Sequence, residues 1–104
     1  MPKYILRVEI ADFDDDETLH QELAKYDFYR VIQANDGVYY DLPSGTYRLQ
    51  ANIDVQAAHH RAELAVSGVV RQFTPHKKYE LIISHYKSSK STLNVTTDIS
   101  KLPR

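Results

Sequence analysis

Two glycine-bearing turns inside one aromatic stretch, FYRVIQANDGVYYDLPSGTY from Phe28 to Tyr47, limit the folds open to this chain more than any other feature. Phe28 to Gln33 is rich in aromatic and β-branched side chains, which suit a pleated, half-buried surface. Asn35-Asp36-Gly37 then offers residues that accept positive φ, as a tight hairpin turn requires. Strand character resumes from Val38 to Leu42, Pro43 cannot donate to a ladder, and Ser44-Gly45 supplies a second turn before Thr46 to Ala51 runs extended. The stretch predicts two antiparallel strands with an elaborated connection.

The flanking segments supply what such a hairpin needs. Tyr4, Leu6, Val8 and Ile10 alternate with Ile5, Arg7 and Glu9, the period of a strand with one covered face. Carboxylates at Asp12 and from Asp14 to Glu17 suit a helix N-terminus, and Asp14 with Glu17 has capping-box-like spacing. The helix is expected to run to about Tyr26, with Leu19, Leu23 and Tyr26 toward the sheet and His20, Gln21, Glu22 and Lys25 mostly toward water. Asn52 or Asp54 can cap a second helix, in which Val55, Ala58, Ala62, Ala65 and Val69 form a narrow stripe of small residues. Pro75 forbids its continuation. Tyr79 to Tyr86 reads as the last strand of the domain, and its apolar residues on both faces predict cover on both.

Strand, helix, strand, strand, helix, strand is the order of an α+β, ferredoxin-like βαββαβ fold: an antiparallel four-stranded sheet with two helices on one face. Residues 1–87 form that single domain, for which 104 residues provide enough core without disulfide or metal staples. Residues 88–104 form an extension rich in Ser, Thr and Lys. It is either a flexible tail or, since Leu93, Val95, Thr97 and Ile99 alternate, a fifth strand that pairs with an edge of its own sheet or of a second subunit.

The absence of cysteine excludes disulfides and cysteine metal sites and fits a reducing compartment. With no apolar run of about 18 residues and no signal-like N-terminus, a cytoplasmic protein without membrane contact is expected. A net charge of -1 argues against nucleic-acid binding by bulk electrostatics, and DNA is not an expected partner. The charge is unevenly distributed, however. Acidic residues dominate up to Arg30, whereas Arg71, Lys77, Lys78, Lys87, Lys90, Lys101 and Arg104 face only Glu80 and Asp98 in the last third. That basic end can meet phosphate or simply solvate a surface.

The run Phe28-x-Arg30-x-Ile32, then Asp36-Gly37, Tyr40-x-Leu42-Pro43 and Tyr47, resembles the signature of small antitoxins of the GhoS type. Tyr4-x-Leu6-x-Val8 and Leu19-His20 with Leu23 fit the same pattern, so the resemblance spans Tyr4 to Val66. It implies a ferredoxin-like endoribonuclease of a toxin-antitoxin system that cleaves the single-stranded messenger of a membrane-active toxin peptide. The acidic cluster and the basic extension depart from that pattern. The alternative is a non-catalytic dimeric module of phage or prophage type that holds RNA or a protein.

A ribonuclease needs a base, a cation at the phosphorus and an acid for the leaving oxygen. Arg30, in the Phe-x-Arg segment, is the candidate cation because a guanidinium matches phosphate in bidentate fashion. Asp12 is the second catalytic candidate, since some ferredoxin-like nucleases present a carboxylate just after the first strand. With its acidic neighbours it would admit magnesium, which needs only one or two carboxylates plus water; no other cofactor is expected. Helix capping accounts for Asp14 to Asp16 at less cost and is the preferred reading of those three. His59-His60 with Glu63 lacks HExxH spacing, and His76 and His85 are single histidines of the kind that act near neutral pH or sit hydrogen-bonded at a surface. The open sheet face is expected to show Ile5, Arg7, Thr46, Arg48, Ile82 and Tyr86. Of these, Arg7, Arg48 and Tyr86, together with Tyr29, are the candidate RNA-binding residues. Lacking paired aromatics, that face suits a homodimer better than base stacking.

Overall fold

The computed structural model describes residues 2–13, 15–86, 93, 95–97 and 101–102. Strand β1 (Lys3–Ile10) is the centre of the sheet, as its alternation predicts: Tyr4, Leu6 and Val8 are buried while Arg7 and Glu9 are exposed. It pairs antiparallel with β4 (Thr46–Gln50), Leu6 opposite Tyr47, and with β5 (Tyr79–Tyr86), Leu6 opposite Ile83. The order is β4-β1-β5. Tyr4, Leu6, Val8, Tyr47 and Leu49 form one apolar cluster with residues of both helices, so both helices lie on the same face.

Helix α1 (Asp16–Ala24) starts where Asp15, not the expected Asp14, accepts from Thr18 N at 3.1 Å; Asp14 lies outside the described residues. A side-chain oxygen bonding the amide three residues on satisfies one orphan donor, so the first available Asp in that geometry sets the start. The helix ends at Ala24, short of Tyr26, because the chain turns: Phe28 N bonds Leu23 O at 3.0 Å and Asp27 takes a left-handed φ of 69°. Helix α2 (Val55–Phe73) is capped by Asp54, which accepts from Ala57 N at 2.8 Å. Ala58, Ala62, Ala65 and Val69 are buried as the small-residue stripe requires, which allows close approach to the sheet. Val55 is the exception at 45% exposed, being the first residue of the helix.

The expected continuous strand from Phe28 to Gln33 is divided at Arg30. Before that residue, Tyr29 and Arg48 exchange two backbone hydrogen bonds of 3.0 and 2.8 Å, which attach the segment to β4. At Arg30 the carbonyl turns to accept from Leu42 N at 2.7 Å, and β2 (Val31–Gln33) then pairs with β3 (Tyr39–Asp41). Among the described residues the result is a three-stranded sheet plus a two-stranded ribbon joined by one bridge. The ribbon closes at Ala34–Gly37, where Gly37 has φ 84° and Asp36 accepts from Val38 N at 2.9 Å.

The second turn locks onto the sheet. Gly45, at φ 79°, accepts from Val8 N at 2.8 Å, and Arg7 Nη1 donates to Ser44 O at 2.6 Å directly above it. From the 88–104 extension, Val95 bridges Tyr40 and Thr96 N donates to Tyr39 O at 3.0 Å, which brings that segment to the outer edge of β3. Ile99, expected in the same strand, lies outside the described residues. No helix among the described residues is long and apolar enough to cross a membrane.

Candidate functional site

Packing Leu19 and Leu23 against the sheet turns one flank of α1 toward the β2–β3 ribbon. Glu17 and His20, three residues apart, occupy that flank, since i and i+3 share a helix surface. Two adjoining clefts open there. One runs along Asp16, Asp41 and Ser44, the other along Gln21, Phe28 and Tyr29, and both are walled by Glu17, His20, Arg30 and Lys101. An acid, an imidazole and two cations therefore meet from three separate parts of the chain: helix α1, Arg30 and Lys101.

Beneath them His20 Nδ1 is hydrogen-bonded to the hydroxyl of Tyr47, a fully buried residue of β4, and the two rings lie 5.5 Å apart. Burial, and then the nearby Arg30 guanidinium, push the imidazole from its ordinary 6.5 down to about 4. Burial also pushes the Tyr47 phenol well above its ordinary 10, so it keeps its proton. With a neutral imidazole only one arrangement uses that buried proton: Tyr47 O–H donates to Nδ1 and Nε2 carries the ring proton. The opposite tautomer strands a buried hydroxyl proton, which costs about 1–3 kcal/mol, and no buried side-chain atom among the described residues lacks a partner. At neutral pH His20 is thus an N–H donor on the cleft side.

Lys101 is held by Asp41, Nζ to Oδ1 3.3 Å. A hydrogen bond from the Thr96 side chain, and then Lys101, keep the Asp41 carboxyl below its usual range. Arg30 has its backbone tied to Leu42. Its guanidinium makes no hydrogen bond or ion pair among the described residues, and the residue lines both clefts.

The residues expected from sequence fall in three places. Arg30 and Tyr29 line the clefts. Arg7, Arg48 and Tyr86 share the open sheet face, where Arg7 pairs with Glu9 at 2.8 Å and Arg48 Nε donates to the Tyr86 hydroxyl at 3.2 Å. Asp12 sits apart, at φ 53°, with its exposed carboxylate 3.2 Å from Lys77. The structure does not bring Asp12 to the Arg30 clefts.

Glu63 receives the Tyr79 hydroxyl at 2.6 Å and lies 3.5 Å from His59 rather than pairing with His60. Among the described residues no group of three or more His, Asp or Glu is arranged to hold a metal ion.

His20, Glu17 and Lys101 were not among the candidate site residues. The i, i+3 pair Glu17-x-x-His20 was a usable signal for two of them, whereas Lys101 was marked only as one cation of the basic end. No family model, curated protein or solved structure matches the chain, so the antitoxin resemblance stands on the residues quoted for it alone.

Proposed function

We propose that the wall of Glu17, His20, Arg30 and Lys101 is a phosphodiester site, and that the protein is an endoribonuclease acting on single-stranded RNA in the manner of the antitoxins it resembles. The carrying observation is the meeting in one cleft of a guanidinium without a hydrogen-bond or ion-pair partner among the described residues, a second cation, an imidazole and a carboxylate. The fold is read as ferredoxin-like, with the Tyr29–Gln33 segment in the place of the fourth strand.

Each group has a role that its chemistry suits. Arg30 and Lys101 hold the phosphate and offset the charge that builds on its oxygens. The Glu17 carboxylate takes the proton of the 2'-hydroxyl, and the 2'-oxygen bonds to phosphorus. The 5'-oxygen leaves with a proton from His20 in its imidazolium form, which gives a 2',3'-cyclic phosphate and a 5'-hydroxyl. A bound phosphate opposes the Arg30 field that helps to keep His20 neutral. Cleavage is therefore expected to rise as pH falls from 7 toward 5. The bond from Tyr47 to Nδ1 favours a second reading, because a neutral imidazole binds phosphate without serving as an acid: a module that holds RNA without cutting it.

A labelled single-stranded RNA pool at pH 5 and pH 7, with magnesium or EDTA, separates the two. The enzyme reading expects cleavage that survives EDTA and disappears in Arg30→Ala, with unchanged thermal stability. Binding without cleavage, weakened by Arg30→Ala and Lys101→Ala, selects the module. RNA neither cut nor bound removes both.

A further inference from the structure

At the side of the sheet away from the clefts, β5 is an edge strand with no partner beyond it among the described residues. Its eight residues, YELIISHY, run in unbroken register with β1 from Tyr79 to Tyr86. Natural edges are blunted by proline, lysine, a bulge or a short strand, because an open row of N–H and C=O groups recruits another strand. None of these is present within β5, whose one charged side chain is Glu80 near its start. Ile82 is 64% exposed at its midpoint, and Val55 and His59 from the start of α2 form a shallow groove with Leu81 and Ile83 beside it.

We propose that β5 pairs antiparallel with β5 of a second copy of this chain, about a twofold axis through Ile82, to make one continuous six-stranded sheet. Residues opposite each other in an antiparallel pair share a face. A twofold axis normal to the sheet therefore requires pairs of like parity, and the helices of both copies then lie on the same side. Centred on Ile82, the register sets Ile82 against itself, Leu81 against Ile83, Tyr79 against His85 and Glu80 against Ser84, so apolar meets apolar at the three central positions. Sliding two residues one way opposes Ile82 to Ser84 and Leu81 to His85. Sliding two the other way opposes Ile82 to Glu80, and four that way sets Glu80 against Glu80, a like-charge pair that destabilises. The strand is self-complementary in one register. The interface is independent of the RNA cleft, which lies beyond β4 at the opposite side of each sheet.

Because the chain contains no cysteine, single Cys substitutions report the register directly. At about 0.1 mM, a concentration suited to a small edge-to-edge interface, sedimentation is expected to show a dimer for the wild type. Ile82→Lys, which sets two cations face to face, is expected to give a monomer with an unchanged circular dichroism spectrum. Mild oxidation is expected to cross-link Ile82→Cys into a covalent dimer and to leave Glu80→Cys and Ser84→Cys largely unlinked. A monomeric wild type, a dimer that persists in Ile82→Lys, or equal cross-linking at all three positions overturns the proposal.

Discussion

The Tyr47 hydroxyl donates to Nδ1 of His20 across 27 residues of sequence, joining β4 to α1 at the floor of the cleft. This bond holds the imidazole by its buried side and leaves the other nitrogen to a ligand. Tyr47→Phe removes the donor and keeps the ring. It should lower stability by about 1 kcal/mol, the ordinary worth of one hydrogen bond, and release the ring toward the Nδ1–H tautomer, while burial and the Arg30 guanidinium still hold the midpoint below 6.5. Imidazole nitrogen chemical shifts test this, and a tautomer ratio unchanged from wild type would contradict the donor role of Tyr47.

Stability should depend on pH in two limbs. The unfolded His20 imidazole takes a proton below 6.5, the folded one only below about 4, so between these values the unfolded chain binds more protons and stability falls as pH falls. For a half-exposed ring the loss is about 1 kcal/mol once solvent screening is allowed for. Asp15, held low by the Thr18 side chain, and Asp41 add to it further down. In alkali the sign reverses. The unfolded Tyr47 phenol ionises near 10 while the folded one resists, so stability drops above that pH. Urea titrations across the range should show a plateau between about 7 and 10, and His20→Gln should flatten the limb from 6.5 to 4.

Gly45→Ala should be among the most damaging small substitutions. A Cβ there would lie 2.2 Å from Arg7 Nη1 and 2.8 Å from Val8 O, on a backbone already at φ 79°. Val8 O belongs to the central strand and cannot retreat. The expected loss is about 2–4 kcal/mol. Gly37→Ala, also at positive φ but with nothing nearer than 3.8 Å, should lose only about 1 kcal/mol. Paired thermal melts give the comparison.

Helix α2 offers a matched test of the core. Ala62 is fully buried against the sheet, so Ala62→Leu forces three extra carbons into filled space and should cost about 1–3 kcal/mol. Leu64→Ala, two positions on and 49% exposed, should change stability by less than about 0.5 kcal/mol. Equal effects at the two positions would mean that the small-residue stripe does not set the helix-to-sheet distance.

What sequence could reveal followed from periodicity and turn chemistry. β1 was legible because alternation over eight residues is a local signal, and α2 because Asp54 and Pro75 bracket a regular stripe. β5 was legible as a strand, but the cover expected on its second face is missing among the described residues, where Ile82 is 64% exposed. The break at Arg30 was not, since Phe28 to Gln33 is uniformly strand-like and only competition between Arg48 and Leu42 for neighbouring backbone groups divides it. His20 was expected toward water on helical phase alone. Its ring is drawn inward by Tyr47, whose position depends on pairing between β1 and β4. Arg30 was legible as chemistry but not as geometry: its neighbours Lys101 and Glu17 come from an extension and a helix that no local pattern connects.

The change of partner at Arg30 makes the ribbon a lever with its fulcrum at the Tyr29–Arg48 bridge. The guanidinium stands at the pivot, while the imidazole is anchored to the main body through β4. A phosphate that grips both would brace the lever, so occupancy of the cleft and the slowing of amide exchange from Val31 to Asp41 should be two readings of one event.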